Sequence, residues 1–358
     1  MKIPAATTRA GRVRVGHTRA ERRRAGRRRA GKDGSALSPW LFLLPALAVV
    51  AVFSLYPFLA TAHQAFTDAR TLTPGRWTGL ENFRVMLDDE QFWTALRNSA
   101  LYVLLVVPCT VLLPLLLALL VRKQMPGVTF FRAAYYTPVV ASVVVVALIW
   151  TWMLDDRGLV NGILRALGAG PVDFLGDAWL LLFSAMALTV WKGLGYYMII
   201  YLAALGNVPR ELHEAAAVDG AGALRRFLSV TLPAVRPTMV LVAALSAVAA
   251  FKVFSEVYLM AGPTGGPAGQ DTTLVMLVQR TGTGLNGRVG YSSALSLVVF
   301  VITLLLMLLV LRAGRVRGEE DSRARGDDGP ARGDDGRVRH EAGRARRDDG
   351  RSRREERG

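Results

Sequence analysis

The sequence predicts an all-α membrane protein of about six transmembrane helices. Hydrophobic residues make up 52% of its 358 residues and charged ones only 20%, a more apolar balance than soluble domains carry. The charge is segregated, with arginine crowded at both ends of the chain. Between the ends, apolar runs approach the roughly twenty residues that a helix needs to cross a bilayer.

Residues 1–37 are rich in Arg, Ala and Gly and almost lack large apolar side chains. Such a segment buries too little surface to offset chain entropy, so a disordered basic cytoplasmic tail is expected. The same holds for 314–358, where RGDDG-like units mix both signs. A transmembrane domain is expected over 38–313, with a core at about 95–312. The apolar stretches place the six spans near 40–60, 99–121, 138–154, 179–205, 238–260 and 292–311. The third is shortest, and its start could fall earlier, near Phe130. The run from Trp40 is too long for a signal-peptide core and lacks a small-residue cleavage site, so it reads as a retained first helix.

Flanking cations set the orientation. With the N-terminus inside, Arg122, Lys123 and Arg132 lie inside, followed by Arg210, Arg225, Arg226 and Arg236, then Arg312, Arg315 and Arg317. Both termini are therefore expected in the cytoplasm of a multi-pass plasma-membrane protein. The net charge of +16 could mark a nucleic-acid binder, but no aromatic residue interleaves the arginine runs to stack bases. A basic flank that orients the first helix and meets anionic lipid of the bilayer accounts for it better.

Cys109 is the only cysteine and the four histidines are scattered, so neither an intrachain disulfide nor a metal site is expected. No Gly-rich loop ending in Lys-Ser or Lys-Thr is present. Charges inside the apolar spans are few. Lys192, Lys252 and Glu256, helped by Tyr196 and Tyr197, are the candidates for lining a solute path, because such groups default to a bundle interior or polar cavity. A structural pairing within the bundle is the competing reading. Trp150, Trp152 and Trp179 read as interfacial anchors.

Two polar segments exceed a simple turn. Residues 61–97 contain Gly79-Leu80-Glu81-Asn82-Phe83 and Phe92-Trp93, an amphipathic pattern suited to lying on the membrane or beneath a partner. The other, 208–237, has its own helix signals. Pro209 suits a first helical turn, and Glu211 and Glu214 favour the positive end of the dipole. Ala215, Ala216 and Ala217 leave a surface with little bulk, and Gly220 suits the left-handed residue that ends a helix. A second short helix is expected from Ala221 to about Thr231, stopped by Pro233, with Pro237 resetting the chain into the fifth span. These features describe a docking element or an interfacial hairpin with no partner.

The spaced run Glu214-Ala215-Ala216, Asp219-Gly220-Ala221, Phe227, Leu232-Pro233 and Pro237 resembles the EAA loop of permease subunits in binding-protein-dependent ABC importers. Gly79-Leu80 with Asn82-Phe83, Phe92-Trp93 with Asn98, Phe131-Arg132, Gly158-Leu159-Val160-Asn161, Phe254 to Tyr258 and Gly265-Gly266-Pro267 are similar to its sugar-uptake branch, the first of two unlike permeases of maltose or glycerol-3-phosphate type. Ala261-Gly262-Pro263-Thr264 departs from that pattern as a longer, more proline-rich approach.

The resemblance implies a MetI-like fold with cytoplasmic coupling helices and no catalytic residue or cofactor. It implies an ATP-binding subunit dimer, a second permease and an extracytoplasmic solute-binding protein as partners. Glu214, Ala215 and Ala216 would mark the helix entering a cleft on the ATPase, Asp219, Gly220 and Ala221 its turn, and Leu232 and Pro233 the return. ATP-driven closure would turn the permeases from inward- to outward-facing. A sugar or related polyhydroxylated solute is the implied cargo, with a polyol, glycerol phosphate or peptide as the alternative. A secondary transporter would show internal repeats and buried carboxylates, of which only Glu256 qualifies.

Overall fold

The computed structural model describes residues 37–122 and 127–326, with side chains described from Phe42 to Gly314 outside the gap. Most of the two expected tails, and Lys123 among the flanking cations, lie outside the described residues. Contacts divide the chain into two units at Ala60.

The first unit is helical. α1 (Leu37–Val50) passes through a five-residue π turn, Ala51–Leu55, into α2 (Tyr56–Gln64), which continues beyond the boundary. The stretch Phe42–Gln64 has a mean hydropathy of 2.2 over its most apolar window. Its large apolar side chains, Phe42, Phe53 and Leu59 among them, are exposed, as a surface facing lipid requires. The π turn sits just ahead of Pro57, and the Tyr56 N–H reaches back to the Ala51 carbonyl. A proline ring collides with the carbonyl four residues earlier in a regular helix. The wider turn opens the ladder at that point.

In the second unit α4 (Glu90–Val121) is the central post, packed against α8 (Ala178–Gly206) and α11 (Leu232–Phe251). Asp89 starts α4 by accepting the Gln91 N–H at 2.9 Å, and Asp177 starts α8 by accepting the Leu180 N–H at 2.9 Å. Both are side-chain caps of helix N-termini. On α11 the buried residues Ala244, Ala247 and Ala250 are small enough for backbones to approach closely, the usual basis of helix packing in lipid. One core joins Tyr102 and Val106 of α4 to Leu181, Leu182 and Leu188 of α8 and to Val257 of α12 (Ser255–Ala261). A second core, toward the other ends of the same helices, joins Leu115, Ala118, Met198, Tyr201, Leu205 and Val242.

The third expected span is not a straight rod. α5 (Val128–Val140) and the helices from Val143 to Ala166 meet at 100°, where Ala141 and Ser142 take extended backbone after Pro138. α6 (Val143–Leu154) leads to α7 (Leu159–Ala166). Among the described residues, five helices are long and apolar enough to cross a membrane, and six if the bent pair makes one span.

Segment 61–97 packs on its own chain rather than lying free. α3 (Glu81–Leu87) touches α14 (Val289–Gly326). Met86, Phe92 and Ala95 share a buried core with Leu274 and Leu277 of α13 (Leu274–Gly282) and with Tyr291 and Leu295 of α14. Buried Asn82 donates to the carbonyls of Ala65 and Thr67 at 2.9 and 2.7 Å, and the Tyr291 hydroxyl donates to Asp89 at 2.6 Å. The helix α14 continues past Gly314 to Gly326, within the stretch expected to be unstructured. Its Arg, Glu and Ala content favours helix despite the polarity.

Candidate functional site

The first candidate site is the loop following α8. α9 (Arg210–Val218) ends in the turn that its sequence specifies. Gly220 has φ +75°, its N–H reaches the Ala217 carbonyl at 3.1 Å, and the Ala221 N–H reaches that of Ala216 at 2.9 Å. This pair of bonds is the Schellman closure. Glu214, Ala215 and Asp219 are exposed, and Ala216 and Ala221 partly so. Apolar side chains are exposed beside them, with Val218 at 88% and Leu224 at 72%; Val218 lies outside the candidate membrane spans, and Leu224 at the foot of the one that starts at Ala223. His213 packs near Arg122 and Arg226. Burial, then those two cations, push its pKa below the usual histidine value.

The rest of the loop corrects the expected stop. α10 (Ala223–Arg226) runs through a π turn, Phe227–Thr231, straight into α11. Pro233 does not end a helix, because the Leu232 N–H bonds the Phe227 carbonyl across the wide turn and the ladder is already open where the proline needs it. Leu232 and Pro233 therefore stand apart from α9. They line an apolar groove of about 640 Å³ with Val111, Met239, Val240 and Leu309.

The second candidate site is a cavity of about 230 Å³ among α4, α8, α11 and α12, lined by Thr110, Thr189, Lys192, Tyr196, Tyr197, Ser246 and Glu256. Four of the five residues expected on a solute path thus converge. Lys252 does not. It is exposed at the C-cap of α11, where the long helix breaks before α12. The break leaves irregular backbone at the cavity, tolerated in a membrane only where protein or cavity satisfies it; here Thr273 donates to the Val253 carbonyl at 3.0 Å. The Tyr102 hydroxyl, 2.8 Å from the Ala185 carbonyl and 2.6 Å from Thr189, fixes the α4–α8 wall beneath the cavity.

Sequence reasoning missed Asp271. Trp179, expected as an interfacial anchor, lies beneath the Arg97 guanidinium at 5.1 Å and shares a polar cavity with Asp271. The run Gln270-Asp271-Thr272-Thr273 after the glycine-rich turn was the available signal. The asparagines in the quoted motifs act as staples. Asn98 donates to the carbonyls of Gln270 and Thr272 at 2.6 and 3.0 Å.

Residues 91–315 match the family model described as the binding-protein-dependent transport system inner membrane component. The chain belongs to this family. It is a multi-pass membrane transport component and not an enzyme, and a component of this kind works with a solute-binding protein.

Relatives agree along the same stretch. The chain is 31% identical to the lactose transport system permease protein of Rhizobium radiobacter, over 78% of this chain and 94% of that one. It is 33% identical to the diacetylchitobiose uptake system permease protein of Streptomyces coelicolor, over 79% and 84%. Among solved structures, a bacterial ABC transporter involved in the import of the acidic polysaccharide alginate matches with a TM-score of 0.68 at 25% identity, covering 77% of this chain and 94% of that one. The helical importer-permease fold expected from the sequence is thus the observed one.

Proposed function

We propose that this family member is the permease subunit of an importer for a sugar or related polyhydroxylated solute, driven by a separate ATPase dimer that docks on Glu214–Ala221. The observation that carries the coupling half is α9 itself: a short helix locked by its Schellman turn, with exposed carboxylates, small alanines and unpartnered apolar side chains. That surface is costly in water and suits a protein cleft. The flanking cations favour placing this loop and both termini on the cytoplasmic side, and a second, unlike permease would complete the translocation path.

The cargo half rests on the sugars named for the relatives and on the polar cavity holding Lys192, Tyr196, Tyr197 and Glu256. Those groups offer donors and acceptors to hydroxyls at mid-span, where an uncompensated charge would cost about 2.5–3.5 kcal/mol. Co-purification tests the partnership: the tagged chain, extracted from its native membranes, should come out bound to an ATPase. Gly220→Val forces a β-branched residue into left-handed backbone at a cost of about 1–2 kcal/mol. It should cut ATPase recovery at least tenfold while the chain still inserts. Normal recovery with normal uptake would overturn the docking assignment.

A further inference from the structure

At the end of the bundle opposite α9, the first turns of α4 and α8 and the loop before α13 enclose a cavity of about 290 Å³, lined by Thr94, Arg97, Ala178, Trp179, Gln270 and Asp271. It shares no lining residue with the mid-span cavity. Its volume sits at the low end of small-ligand pockets, about 300 Å³, room for a single sugar ring. The walls carry a hydroxyl, a guanidinium, an amide and a carboxyl, with one indole between them.

Asp271 is the anomaly. Its side chain is 1% exposed, and its Oδ2 has no hydrogen-bond partner among the described residues. Arg97 does not neutralise it; the guanidinium lies over the Trp179 ring instead. The carboxyl is nonetheless held by design. Gly266, at φ +74°, leaves open the space that a Cβ would take from Oδ2. The neighbouring backbone is pinned by Asn98 through the carbonyls of Gln270 and Thr272 and by Arg280, which donates to Thr272 Oγ1 at 3.1 Å. Oδ2 packs against Gly266, and Asp271 lines the cavity with that oxygen's hydrogen-bonding capacity unspent.

We propose that this cavity is a saccharide subsite at the mouth of the path, in which Asp271 and Arg97 grip the hydroxyls of one ring before the solute moves to the mid-span cavity. The proposal rests on the sugar reading above. A hydroxyl is the fitting partner because it both donates and accepts. Burial, then the nearby charge of Asp177, pushes the Asp271 pKa up to about 7, so at neutral pH its carboxyl can do both as well. Arg97 and Gln270 supply further donors, and Thr94 either role.

The test uses the full chain in nanodiscs, titrated with lactose, maltose and diacetylchitobiose while tryptophan emission is followed, alongside uptake of the same sugars by the assembled importer in proteoliposomes. We expect binding of at least one sugar, weakened tenfold or more by Asp271→Asn and by Arg97→Gln. Arg97 is exposed, so its variant does not threaten folding, and Thr94→Val should weaken binding several-fold as a third probe. Uptake with affinities unchanged in all three variants would overturn the subsite and leave the sugar reading standing. Sugar uptake without any binding to the isolated chain would do the same. No uptake of any of the three by the wild-type importer would remove the sugar reading, and the subsite with it.

Discussion

Asp271 makes the fold pH-sensitive in a direction opposite to a salt-bridged carboxylate. In the unfolded chain it releases its proton near the ordinary 3.8, and in the folded protein only near 7. Between those values the folded state binds more protons than the unfolded one, so stability falls as pH rises through the window and stays lower above it. The full cost is at most about 4 kcal/mol, since each unit is worth about 1.36 kcal/mol. Asp271→Asn should therefore raise the unfolding temperature above about pH 7 and leave it unchanged below about pH 4. Thermal unfolding across that range checks it, and a variant equally unstable at both ends would contradict the burial argument. The residue was hard to read from sequence because the polar run that holds it has the same composition whether its loop is solvated or packed. Only the packing of α4 and α8 against it makes it unusual.

Helices and turns were legible where one residue type dictates the backbone. Gly220 announced the end of α9, and Pro209 its start. Prolines were less reliable guides. Pro233 reads as a stop, yet the five-residue π turn before it lets the helix pass, and Pro57 repeats the arrangement. No local pattern of apolar residues distinguishes a wide turn from a regular one. The 100° bend after Pro138 was hidden for a related reason: an apolar run has the same composition whether straight or folded back. Asparagines fared better, since the quoted motifs placed them where loops need tying. Asn161 is fully buried and exchanges bonds with Val172 in both directions, at 2.9 and 2.8 Å, besides donating to the Asp155 carbonyl at 3.2 Å. Asn161→Leu strands those backbone groups at about 1–3 kcal/mol each. Denaturant titration should show a loss of about 3 kcal/mol or more; a loss under about 1 kcal/mol would mean water replaces the staple.

For the molecule as a whole, the apolar spans made the fold class plain, and the loop motif pointed to the surface proposed for docking. The mid-span cavity was only half visible, because Lys252 and Glu256 look alike in sequence and the helix break sends one out and the other in. Orientation can be checked with the single cysteine removed. In a Cys109→Ala, Val218→Cys variant, an impermeant maleimide should label inverted vesicles and spare intact cells. Assembly with the ATPase should then slow labelling at least tenfold. Labelling from the outside would reverse the topology.

The uninterrupted helix from α10 into α11 has a mechanical meaning. Twenty-nine residues from Ala223 to Phe251 form a rod about 43 Å long at about 1.5 Å per residue. One end stands at the proposed docking surface, and the other carries Ser246 and Ala250 into the wall of the mid-span cavity. A rod has no slack: a push at its foot arrives at its tip as a tilt, and the break at Lys252 supplies the pivot. Two glycines inserted between Thr231 and Leu232 should let the engine turn over freely, with ATP hydrolysis retained and uptake lost. Uptake that survives the insertion would mean the stroke travels by another route.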